Sequence, residues 1–199
     1  MANFIASDWV ADFDRFNWFD RLDRRVKLKI GQRSPTELKI PAKDARKILQ
    51  KVVRLVLDLP RNSTPTVVWV RGDSELLVHS NRTRIGFSSG VVTVTVTVEC
   101  DQHEMVQIPV PLGVAETKSP AGLLMSSFSD LEGPPEIVDT WFEPIVAFAW
   151  ELLLEIASVI CEQVGKDSRG LPLVPGNVAA GRGYLLIQPI ARYQLKGGV

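Results

Sequence analysis

The run GVVTVTVTVEC, residues 90–100, decides the fold. Val92, Val94, Val96 and Val98 occupy every second position, with Thr93, Thr95, Thr97 and Glu99 between them. That is the period of a strand with one core face and one wet face. The next segment, EMVQIPVPL (residues 104–112), keeps the period, with Val106, Ile108, Val110 and Leu112 opposed to Gln107, Pro109 and Pro111. Laying apolar face on apolar face pairs Val98 with Val106 and Val96 with Ile108, and leaves Asp101-Gln102-His103 as the hairpin loop. The two prolines stand at alternate positions, so both missing N–H groups lie on one edge, which cannot template a further strand there.

Upstream, VVWVRGDSELLVHS (residues 67–80) carries a second hairpin. If Gly72-Asp73 is a two-residue loop, Arg71 faces Ser74, Trp69 faces Leu76 and Val67 faces Val78 on one side of the sheet. On the other side Val70 faces Glu75, Val68 faces Leu77 and Thr66 faces His79. Both sides are apolar in the middle, so this hairpin expects cover on both, from helices of the chain or from another subunit. Arg71-Gly72-Asp73-Ser74 also spells a tetrapeptide that extracellular proteins present to integrins. The N-terminus, with acids where a secretory leader has a basic end and an apolar run, gives that role no support, and the tetrapeptide reads as a turn. Between the hairpins, a short strand around Ile85 and Phe87 ends in the turn Ser88-Ser89-Gly90.

Helical periods flank this meander. Ser7-Asp8 can cap a helix bearing Trp9, Phe13, Phe16, Phe19, Leu22 and Val26 on one face. Two short strands, around Val26 to Ile30 and Leu38 to Ile40, follow it. From Pro41, the residues Ala45, Ile48, Leu49, Val52, Val53, Val56 and Leu57 make the apolar stripe of a second helix that ends before Pro60. Lys43, Arg46, Lys47, Lys51 and Arg54 crowd its other side and read as a solvated face. Residues 115–135, rich in Ser, Pro and Gly, read as a loop. A short helical turn precedes Pro144, which marks a boundary or kink, and a long helix ends at Gly165. That helix is apolar round most of its circumference, so it wants burial on more than one side. Residues 171–183 read as irregular, and Tyr184 to Leu195 as a last strand with Pro189 at an edge or bend.

The expected fold is therefore a single α+β domain over residues 1–199. A helix, hairpin and helix occupy residues 1–60, an antiparallel meander 61–114, the loop 115–135, the long helix 136–165 and a closing strand 183–195. Apolar residues make up 45% of the chain, enough for a real core. Lys plus Arg and Asp plus Glu number 23 each, so no global field attracts nucleic acid. Glu151 and Glu155 fall near the middle of the most apolar run, which argues against a membrane span. Two cysteines in unrelated segments fit a reducing cytoplasm.

No cofactor or catalytic signature emerges from the residues. Cys100, Asp101, His103 and Glu104 could ligate a metal, but they gather at one exposed hairpin tip with no second cluster, so no metal site is expected. Glu151 and Glu155, one helical turn apart, could act as an acid and base pair, though an interface stripe is favoured. Gly165-Lys166-Asp167-Ser168 has the end of a phosphate loop without its earlier glycine and follows a helix instead of opening one. The sequence therefore points to a non-catalytic protein-interaction or assembly subunit that self-associates or meets a protein partner. Trp9, Phe13, Phe16, Val68, Val70, Leu77, Trp141 and Trp150 are its expected contact residues. The alternatives are a small apolar ligand between the long helix and the sheet, lined by Trp69, Trp141 and Trp150, or an enzyme using Glu151 and Glu155.

Overall fold

The computed structural model describes residues 4–5, 37–60, 63–116, 126–127 and 131–191. The expected first helix, the strand at Val26 to Ile30 and most of the 115–135 loop lie outside these residues, as do Trp9, Phe13 and Phe16. Among the described residues the architecture is α+β, with two sheets and two α-helices, the longer and more apolar of which packs on both sheets.

The larger sheet is the meander. Its strands β3 (Thr66–Arg71), β4 (Ser74–His79), β5 (Arg84–Ser88), β6 (Val91–Cys100) and β7 (His103–Gly113) pair antiparallel. The register of β3 with β4 is the one the sequence dictates, with Trp69 opposite Leu76 and Val67 opposite Val78. Gly72 has φ +59 while Asp73 does not take positive φ, the pattern of a two-residue turn with glycine first, which matches the right-handed twist of the strands. Val98 pairs with Val106 and Val96 with Ile108, as expected. The loop between them is shorter than expected, because Cys100 pairs with His103 across Asp101-Gln102. A bulge takes up the difference: Glu104 and Met105 stand opposite Glu99, and Met105 adopts φ 39. Among the described residues, the outer edge of β7 away from β6 is met only at Leu112 and Gly113, by β9 (Ser126–Ser127), past both prolines.

A two-residue strand, β1 (Phe4–Ile5), runs parallel to β3 at Val67 and Val68. The second sheet has the order β2, β11, β10, β8, formed by Leu38–Pro41, Tyr184–Ala191, Leu173–Gly181 and Ala115–Glu116. Here the sequence reading needs correction, since residues 173–181 form a regular strand instead of an irregular stretch. Pro175 and Gly176 read as breakers, but a bulge between Pro175 and Asn177 absorbs them, and Ile190 packs so close to Gly176 that no side chain fits there. Pro189 sits beyond the stretch of β11 that β2 covers, at a bulge-adjacent pair with Pro175, so its missing N–H leaves that ladder intact.

Helix α1 (Ala42–Val56) buries Ala45, Leu49, Val52 and Val53, the stripe read from the sequence. Helix α2 (Pro135–Val164) is one element of 30 residues, with Pro144 inside it instead of at its boundary. It is long and apolar enough to cross a membrane, yet it is mostly buried inside the fold. Both sheets, α1 and the two sides of α2 share one core, so the chain itself supplies the all-round cover that this helix demands.

Proline at position 144 leaves the Thr140 carbonyl without the N–H that an interior helix residue would give it. The guanidinium of Arg71 replaces it, donating from Nη1 to the Thr140 oxygen at 2.9 Å. The arginine of the turn tetrapeptide thus fastens the β3–β4 hairpin to α2 at the carbonyl that Pro144 leaves open. Its second contact, to Glu143 at 3.7 Å, is an exposed ion pair and adds little.

Candidate functional site

The two faces of the β3–β4 hairpin have different surroundings. On the inner face Val67, Trp69, Leu76 and Val78 are fully buried. Trp69 meets Phe148 of α2 edge-on at 5.5 Å and Trp141 at 6.4 Å. These rings occupy the space between α2 and the sheet where an apolar ligand lined by Trp69 and Trp141 would sit. Trp141 and Trp150 are 2% and 3% exposed, so as placed they pack the core instead of presenting a surface.

The outer face carries Thr66, Val68 and Val70 on β3 with Glu75, Leu77 and His79 on β4. Val68 is almost covered, whereas Val70 and Leu77 remain half-buried. The pairing of Leu77 with Glu99 brings the carboxylate of β6 onto the same side. His79 then lies between two partners: Nε2 is 3.0 Å from Glu99 Oε2, and Nδ1 is 3.3 Å from Thr66 Oγ1. A neutral imidazole that donates to the carboxylate through Nε2 can accept the threonine hydroxyl proton at Nδ1, so one tautomer satisfies the whole line. Chemically this is a hydroxyl, imidazole and carboxylate in series. The sequence placed Thr66 opposite His79 but gave no sign of Glu99, because that contact depends on which strand lies beside β4.

The other sequence candidates are dispersed. Glu151 is buried and Glu155 half-buried on α2. His103 turns away from Cys100 and Glu104 to Glu136, in the first turn of α2, at 3.1 Å. The Glu136 carboxyl is held below its ordinary range, first by a backbone N–H and then by this histidine. Among the described residues, no three of His, Cys, Asp and Glu gather as a metal ion would require.

Asp167, in the segment with the faint phosphate-loop spelling, uses its own carboxylate to accept the N–H groups of Arg169 and Leu171 at 2.9 and 2.8 Å. Those donors, Leu171 first, hold its carboxyl below the usual range. The N–H groups of Arg169 and Leu171 are therefore engaged within the turn itself. No family model, curated protein or solved structure matches this chain.

Proposed function

We propose that the protein works by contact instead of turnover, as a non-catalytic interaction or assembly subunit that self-associates through the outer face of the β3–β4 hairpin. The observation that carries this reading is the layout of that face. Val68, Val70 and Leu77 form an apolar centre, and Val70 and Leu77 keep part of their surface accessible. Around them lie Thr66, His79 and Glu99 at one end and Glu75 at the other. An apolar centre flanked by polar groups, with the line through His79 already hydrogen-bonded, is the anatomy of a contact surface. A zero net charge sets up no long-range repulsion between two copies.

Light scattering across micromolar concentrations of the full chain tests it. A molar mass rising to a dimer or larger species supports self-association, and a monomer throughout contradicts it.

A further inference from the structure

Between β4 and β5 the chain leaves the sheet for one 3-10 turn, Ser80–Arg82, and a cleft opens there against α1. Its volume is about 390 Å³. Arg46 and Gln50 of α1 line one side, and Asn81, Arg82, Thr83 and Arg84 the other. Among the described residues, three arginines thus line one cleft, no carboxylate does, and none of the three has an ion-pair partner. Clustered like charges without counter-charge repel one another, and an arrangement of this kind is relieved by an anion.

Thr83 adds a second, independent observation. It is 2% exposed, it lines the same cleft, and its Oγ1 has no hydrogen-bond partner. A buried hydroxyl left unmatched costs about 1–3 kcal/mol, so such a group calls for an acceptor. Gln50 reinforces the wall by donating from Nε2 to the Thr83 carbonyl at 3.5 Å, which leaves its own amide oxygen and the side chain of Asn81 to orient a ligand.

We propose that this cleft binds a small phosphate-bearing molecule. Guanidinium forks match the paired oxygens of a phosphate, and three of them suit a group of two or more negative charges. The volume lies at the lower end of small-ligand pockets, room for a phosphorylated metabolite with Leu49 beneath its apolar part. The zero net charge of the whole chain favours a small anion over a nucleic-acid backbone, which needs an extended basic track.

Titration calorimetry of the full chain with pyrophosphate as the probe tests the site. Saturable binding is expected, weakened about tenfold or more in Arg82→Gln/Arg84→Gln and in Arg46→Gln, with melting temperatures unchanged because these side chains are exposed. Thr83→Val should weaken binding without loss of stability, and Lys51→Gln, on the same helix but outside the cleft, should bind as the wild type does. Absence of saturable binding, or an equal loss in Lys51→Gln, overturns the proposal. A single-stranded RNA oligonucleotide that binds far more tightly than pyrophosphate, with sensitivity spread to Lys47 and Lys51, overturns it in favour of a polymer backbone.

Discussion

The inner and outer faces of the β3–β4 hairpin come from the same two strands, and both are apolar at their centres, yet they have opposite fates. On the inner face Val67, Trp69, Leu76 and Val78 lock against the aromatic rings of α2. On the outer face Val70 and Leu77 stay half-buried beside a finished line of hydrogen bonds through His79. Apolar character alone does not separate these two faces. What separates them is whether a second element of the chain arrives with matching shape, and that depends on the path of α2.

The largest expected effect tests the inner face. Trp69→Ala removes a fully buried ring from the contact with Phe148 and should cost about 3–5 kcal/mol in denaturant unfolding. A loss below about 1 kcal/mol would erase the contrast, since surface substitutions reach that range.

Next comes the clamp that joins the hairpin to α2. Arg71→Ala should cost about 1 kcal/mol, a typical net hydrogen-bond contribution. In a Pro144→Ala background the new backbone N–H serves the Thr140 carbonyl, so the same substitution should cost less. Equal losses in both backgrounds would show that Arg71 acts elsewhere. On the outer face Leu77→Ser should change stability by about 0.5 kcal/mol or less while weakening association, the reverse of the Trp69 result.

The smallest effect concerns accessibility. The Cys161 thiol, fully buried in α2, is pushed up to about 12 by burial, with the Glu162 carboxylate adding to the shift. At pH 8 the native protein should alkylate at Cys100 alone, as read by mass spectrometry, and at both cysteines in denaturant. The same shift has a stability consequence. Below the ordinary thiol value near 9 both states keep the proton, and from there towards 12 the unfolded chain loses it first. This contribution to stability therefore falls as pH rises through that window. Prompt native labelling of Cys161 would contradict the packing of α2.

Much of the fold was legible because its signals are local. Both hairpin registers follow from the alternation of valines and from one glycine in a two-residue turn, and the stripe of α1 follows from its helical spacing. What escaped the sequence depends on contacts between distant segments. The strand around Leu38 to Ile40 has a local signal, but its pairing with β11 spans most of the chain, and the strand at Leu173–Gly181 hides behind Pro175 and Gly176, which a bulge accommodates. Pro144 sits inside one continuous helix, where Arg71, from another element, takes the carbonyl that proline leaves open. The same holds for the sites. Thr66 opposite His79 could be read from the register, but Glu99 and the grouping of Arg46 with Arg82 and Arg84 require the strands and α1 to be in place.

The most direct test of the contact face is the molar mass of Leu77→Glu beside wild type at equal micromolar concentration, with the melting temperature of each. A charge placed on a half-buried outer position should dissolve the assembly and leave melting close to wild type. A variant that keeps the wild-type molar mass, or one that loses the fold together with the assembly, would contradict the division of the hairpin into a core face and a contact face.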